Sequence, residues 1–365
     1  MKRIFINQPR VSYYIGGAEM VSLDHAKYLY FNDYEVTILT IKPSTIGYNY
    51  TDRYLEFKNF YKGKISFLEF EFEPKYRYIF NIKPGENRNR WNFESIIYNK
   101  YLNKAFYNVD NAVMISYYIL DAISIDSKIE NCLYLCGRPK EVDIFQGSFL
   151  VAYDRIMAIT KDVKKYWQQF TKQTIQILST GVDSKRFCPC RNNKHTISNI
   201  LYLGRVIKRK GIEDFLELSK ESFKTKNCLN FTVVGDGPEI ELYKNEYKKY
   251  VEFINPTSCP EEFYKKNDIV ICPSKHGEGL QGVILEAMSS GCIVIATNTD
   301  INRELLHNER GFLIGRDFRE LANCLEDICK LDSKHLNRIR ENARKYVQKN
   351  YSWTNKIKDL MELIK

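Results

Sequence analysis

Short runs of continuous apolar residues, separated by stretches long enough for a helical crossover, recur along this chain in two series. The first holds IFI (4–6), EVTILTI (35–41), AVMIS (112–116), CLYL (132–135) and RIMAIT (155–160). The second, after GVDSKRFCP (181–189), holds NILYLG (199–204), FTVVG (231–235), VEFI (251–254), IVICPS (269–274) and CIVIAT (292–297). Runs without polar alternation are apolar on both faces, so each must be covered on both sides, and helical crossovers supply that cover in parallel sheets. The pattern predicts an α/β protein of two doubly wound, Rossmann-like domains, 1–185 and 186–349. A length of 365 residues agrees with two cores. An amphipathic stretch, 350–365, follows with no strand after it. GVDSKRF (181–187) reads as the interdomain connection, with Gly181 as its hinge.

Composition narrows the partners. A formal charge of +10 favours an anionic partner. Segment 75–104 concentrates seven basic residues, two acidic ones and seven aromatics, a mixture suited to an anionic membrane surface. No nucleic-acid motif accompanies the charge, so nucleic acid is not an expected partner. MKRIFINQPR lacks the apolar core of a signal peptide, which points to a cytoplasmic protein, peripheral on the inner face of the cell membrane if segment 75–104 binds there. The ten cysteines are scattered, many in apolar runs, and read as reduced thiols. Cys132 with Cys136, and Cys188 with Cys190, lack the paired spacing of a zinc site, and no metal or cofactor is expected.

Chemistry concentrates in two loops that follow strands. In HGEGLQGVILEAM (276–288), Glu278 and Glu286 stand eight positions apart. A continuous helix would set them roughly 80° and 12 Å apart, too far to act on one atom. The glycines instead predict a helix beginning at Gln281 or Gly282, with Glu278 in the loop and Glu286 in the first turns. A helix N-terminus between two carboxylates suits a ligand with a sugar, a phosphate and a second sugar in series. In GRVIKRKG (204–211), Arg205 and Lys210 flank the next helix start and offer two cations to a diphosphate. The helix from Gly211 presents Ile212, Phe215, Leu216 and Ser219 on one face, and another near 260 has Thr257 or Ser258 as its candidate N-cap. VVGDGPE (233–239) reads as a turn after a strand.

These motifs in this order, GGAE (16–19), GR and KG (204–211), VVGDGPE, the spaced glutamates, EAMSSG (286–291) and SW (352–353), resemble family 4 of the GT-B glycosyltransferases over nearly the whole chain. The resemblance implies two Rossmann-like domains facing each other across a cleft, with the final helix returning to the first domain. It implies metal-independent, retaining transfer of a sugar, as in hexosyltransferases, from a nucleotide-sugar donor, expected to be a UDP-sugar. The acceptor would be a glycan or lipid-linked glycan of cell-surface polysaccharide biosynthesis. Arg205 and Lys210 would hold the donor diphosphate, and Glu278 the donor sugar hydroxyls. Glu286 would bind ribose, while Gly16, Gly17, Gly204, Gly282 and Val283 complete the donor contacts. Departure of the diphosphate and attack from the same face is implied, so Glu278 is not a nucleophile.

Two departures from the family pattern stand out. Cys136 occupies the place of a common histidine, and EGLQG replaces EGFG, moving a glycine to Gly282. The other readings are a catalytically impaired nucleotide-sugar or glycan-binding subunit and a nucleotide-sugar epimerase or sugar phosphorylase of the same fold. No two aspartates stand two apart, as a metal-dependent glycosyltransferase of the other large fold would require.

Overall fold

Each apolar run forms a strand in the computed structural model, which describes residues 2–81, 88–107, 109–125, 128–138, 143–189, 197–225, 229–275 and 279–365. The chain divides into two units, Met1–Ser179 with Ile357–Lys365, and Thr180–Lys356.

The first unit contains β1 (Arg3–Asn7), β2 (Glu35–Ile41), β3 (Ser66–Phe70), β4 (Asp110–Ser116), β5 (Lys128–Leu135), β6 (Arg155–Ala158) and β7 (Gln176–Ile177), all parallel, in the order β3-β2-β1-β4-β5-β6-β7. The second contains β8 (Asn199–Leu203), β9 (Asn230–Val234), β10 (Val251–Ile254), β11 (Ile269–Cys272), β12 (Ile293–Thr297) and β13 (Phe312–Ile314). They are also parallel, in the order β10-β9-β8-β11-β12-β13. Counted within each unit, both sheets contain the dinucleotide-fold order 3-2-1-4-5-6. Core strands have no exposed face: every residue of β11 and β12 is buried.

The helix Ile212–Lys224 buries Ile212, Phe215, Leu216 and Ser219 as its periodicity predicts. The helix near 260 spans Glu261–Lys266 with Pro260 as N-cap, and the Thr257 hydroxyl instead accepts from the Cys259 N–H at 3.0 Å. A proline carries no N–H to compete at a helix start, which explains the later boundary.

The stretch 181–187 belongs to the second unit rather than forming a free connection. Val182 bridges Ser352, and a Cβ on Gly181 would lie 2.7 Å from the Trp353 ring. Glycine is there for close approach, and the SW motif is its partner. The last helix, Trp353–Leu363, ends in the first unit, where Leu360 and Ile364 are buried and the Lys2 and Arg155 side chains donate to its final carbonyls. Segment 75–104 maps to a 3-10 run, Pro74–Asn81, and a helix, Arg88–Phe106, with 82–87 outside the described residues. Tyr98 from this segment is core, whereas Phe93 and Ile96 are exposed. No helix among the described residues is long and apolar enough to cross a membrane.

Candidate active site

In an open parallel sheet, ligands bind beyond the carboxyl ends of the strands where strand order reverses. In the second unit that point lies between β8 and β11. Strand β8 runs out into Gly204 and Arg205, and β11 into Pro273, Ser274 and Lys275. The two loops touch backbone to backbone. Gly211 has φ +73°, and a Cβ there would sit 2.0 Å from the Pro273 carbonyl oxygen, so only glycine serves. The Lys275 N–H donates to the Arg209 carbonyl at 2.8 Å.

This contact delivers Lys210 to the start of the helix Gly282–Ser289, whose N-cap is Gln281. The Lys210 ammonium donates to Gln281 Oε1 at 3.5 Å, and the Ser274 hydroxyl to the same oxygen at 3.3 Å. A helix start leaves N–H groups without intrahelical acceptors and carries partial positive charge. Gly282 and Val283 are its first residues, and the Ile284 N–H returns to the Gln281 carbonyl at 3.1 Å. The arrangement can hold an anion between a lysine and a helix N-terminus.

Arg205 is exposed, and its carbonyl accepts from the Tyr202 hydroxyl at 2.7 Å. Its loop is braced by VVGDGPE, which is more than a turn. The Gly204 N–H donates to the Val234 carbonyl at 3.0 Å, and the Val206 N–H to the Asp236 carbonyl at 2.8 Å. A Cβ on Gly235 would lie 1.9 Å from the Gly204 oxygen.

Glu286 follows in the second turn of the same helix. Its Oε2 accepts from the Tyr264 hydroxyl at 2.8 Å. Tyr264 is buried, and burial together with Glu286 holds its hydroxyl well above the usual tyrosine pKa, so it remains a donor. Glu278 lies outside the described residues.

In the first unit, Gly16 is the N-cap of the helix Gly17–Tyr30, and Glu19 Oε2 accepts from its N–H at 3.0 Å. Glu19 is 4% exposed, and burial raises its pKa from 4.5 to about 7. The fold therefore binds this proton more tightly than the unfolded chain does, and stability falls as pH rises from 4.5 toward 7. Glu19→Gln keeps an acceptor and removes the titration. Denaturant melts should show wild type losing roughly 3 kcal/mol relative to the variant across that interval. Equal slopes would exclude Glu19 as the source.

At the place of the family histidine, burial pushes the Cys136 thiol pKa up, so it stays protonated. His25 does not fill that role either. It is buried with Nδ1 2.7 Å from the Tyr117 hydroxyl, and burial lowers its pKa to about 3, leaving it a neutral core residue.

A family model described as "Glycosyl transferases group 1" matches residues 197–330, the segment that holds the site. The likeness to the group 1 glycosyl transferases is thus carried by the second unit. Among its relatives, a UDP-Gal:alpha-D-GlcNAc-diphosphoundecaprenol alpha-1,3-galactosyltransferase of Escherichia coli is 29% identical over 209 residues, covering 51% of this chain and 53% of the relative. The capsular polysaccharide biosynthesis glycosyltransferase CapM of Staphylococcus aureus is 28% identical over 191 residues, covering 48% and 50%. The chain thus spans about half the length of the curated relatives it matches. Among solved structures, Anabaena HepE in complex with UDP superposes with TM-score 0.74 at 16% identity, covering 99% of both chains. That likeness is one of fold, and the fold is GT-B.

Among the described residues, the second unit's candidates Gly204, Arg205, Lys210, Gly282, Val283 and Glu286 lie on two contacting loops and one helix. Sequence reasoning missed Ser274 and Tyr264, which touch Gln281 and Glu286. It also missed the bracing of Gly204 by Gly235, for which glycine spacing was the available signal.

Proposed function

We propose that this chain is a retaining glycosyltransferase that moves a sugar from a nucleotide-sugar donor, a UDP-sugar foremost, to a glycan or lipid-linked glycan of a cell-surface polysaccharide. The second unit binds the donor and the first serves the acceptor. The observation that carries this reading is Lys210 held by Gln281 at the N-terminus of the helix Gly282–Ser289, where the strand order reverses.

In this proposal Arg205, Lys210 and the N–H groups of Gly282 and Val283 stabilise the negative charge that collects on the departing diphosphate. Gly204 lets the backbone approach it, and Gly16 and Gly17 keep the donor-contacting role that the resemblance gives them. The bond from anomeric carbon to phosphate oxygen breaks, the acceptor hydroxyl attacks the same face, and the diphosphate takes its proton. Glu278 binds the donor sugar and Glu286 the ribose. The fixed cations do the work that a metal does in other transferases, so the reaction proceeds without one. Relatives named for galactosyl transfer to a lipid diphosphate and for capsule biosynthesis support the acceptor class.

The test is a donor screen that detects released nucleotide, with and without acceptor and chelator. Release from one nucleotide sugar, unaffected by chelation, is expected. Tight nucleotide binding without turnover of any donor would overturn the transferase reading in favour of a binding subunit, which Cys136 at the histidine's place favours. Loss of turnover on chelation would overturn metal independence.

If Glu286 binds ribose, its Tyr264 hydrogen bond matters. Tyr264→Phe should weaken nucleotide affinity by roughly three- to tenfold, the worth of one such bond, with folding retained. Unchanged affinity in a calorimetric titration would remove Tyr264 from the site.

The exposed Phe93, Ile96 and Lys100 lie at helical spacing on one face of Arg88–Phe106 and support contact with an anionic membrane. Cosedimentation with anionic vesicles should exceed that with neutral ones and fall with salt; equal binding to both would sink this contact.

A further inference from the structure

We propose that Gln281 is itself a donor-binding residue, its side-chain Nε2 donating to an oxygen of the diphosphate, and that the residue at this position sets how tightly the diphosphate is gripped. The inference rests on the donor-site reading above and extends it to a side chain that the family's EGFG pattern does not supply.

Three observations carry it. Gln281 is 9% exposed, so its amide is almost entirely withdrawn from water. It stands at the N-cap of Gly282–Ser289, yet its side chain does not cap that helix. Its oxygen is instead taken twice, by the Lys210 ammonium at 3.5 Å and the Ser274 hydroxyl at 3.3 Å. An ammonium is only a donor, so the amide oxygen must face it and the NH₂ must point elsewhere.

That Nε2 is buried and, among the described residues, makes no hydrogen bond. A buried donor without an acceptor costs about 1–3 kcal/mol, a penalty that a fold sheds by substitution unless something supplies the acceptor. The geometry names the supplier. The orphan donor belongs to the amide that touches Lys210, at the residue that opens the helix, so it joins the ammonium and the helix N–H groups as a third donor in one place. A ligand that satisfies all three presents several acceptor oxygens and negative charge, which describes a phosphate and not a sugar hydroxyl. Gln281 then has two jobs in one amide: oxygen to hold Lys210, nitrogen to bind the ligand.

The two jobs separate by substitution. Gln281→Glu keeps acceptors for Lys210 and Ser274 and removes the N–H, and Gln281→Met keeps the volume and removes both. Wild type and both variants would be titrated calorimetrically with UDP, GDP and ADP and with the matching monophosphates. For the diphosphate that wild type binds, Gln281→Glu should lose about tenfold or more in affinity, the scale of a hydrogen bond to a charged group. Gln281→Met should lose at least as much, and binding of the monophosphate should stay within about twofold for both, which also certifies folding. Full diphosphate affinity in Gln281→Glu would overturn the proposal and leave Gln281 only a support for Lys210. Equal loss of mono- and diphosphate would overturn it as well, in favour of a structural role. A wild-type chain that binds none of the nucleotides would bring down the donor-site reading and this inference with it, an outcome distinct from the other two.

Discussion

Replacing Lys210 by alanine is expected to lower donor turnover by about 10² to 10³, the range found when one preorganised electrostatic donor is removed from a site where charge develops. Lys210 is half-buried, on the short turn Lys208–Lys210 that Gly211 presses against Pro273, so its ammonium arrives at the N-terminus of Gly282–Ser289 without a search. Charge fixed in advance costs no reorganisation when the phosphate leaves. Truncation removes the charge, and Gln281 keeps its hydrogen bond from Ser274. Stability should therefore drop by only about 1 kcal/mol. Release of nucleotide from the donor, followed beside a thermal melt, separates the two effects. A Lys210→Ala protein that melts near wild type and turns over at full rate would remove Lys210 from the mechanism. One that fails to fold would instead show that the ammonium is structural.

What the sequence made legible, and what it did not, follows from the forces at each place. Every strand buried on two faces announced itself as an apolar run, because nothing polar is tolerated there. The strands absent from that reading, β3, β7 and β13, are all sheet edges. SFLEF alternates between exposed and covered positions, and the other two are two and three residues long, too short to carry a period. The helix start at Gly282 was legible because glycines after a strand leave few other conformations. The partners of the site were not. Tyr264 reads as one more aromatic in EEFYKK until the fold brings it beneath Glu286, 22 positions away. Gln281 drew notice only as a candidate helix start in an irregular loop, since its role comes from contacts with residues 7 and 71 positions away. Likewise 181–187 read as a hinge because it lies between two series of strands, whereas its packing partner, Trp353, is supplied from near the other end of the chain.

Gly235→Ala should be strongly damaging to the second unit, and its consequences reach Arg205. The residue sits at φ +153°, a conformation that side chains rarely adopt, and its missing Cβ would fall 1.9 Å from the Gly204 carbonyl oxygen. Because the clash is with backbone, no rotamer relieves it; either the loop after β9 or the loop after β8 must move. Backbone strain and overpacking each cost about 1–3 kcal/mol, so a loss of roughly 3 kcal/mol or more is expected in a denaturant melt. The loop that yields is tied at Gly204 and Val206 to Val234 and Asp236, so Arg205 between them is displaced with it. Misplacing a positioning group by about 1 Å can cost about 10² in rate, and turnover should fall even at temperatures where the variant remains folded. Gly17→Ala is the internal control, since a Cβ at Gly17 would meet nothing within 4 Å and should leave stability within about 0.5 kcal/mol of wild type. If Gly235→Ala melts like Gly17→Ala, the two loops are not locked together, and VVGDGPE returns to being only a turn.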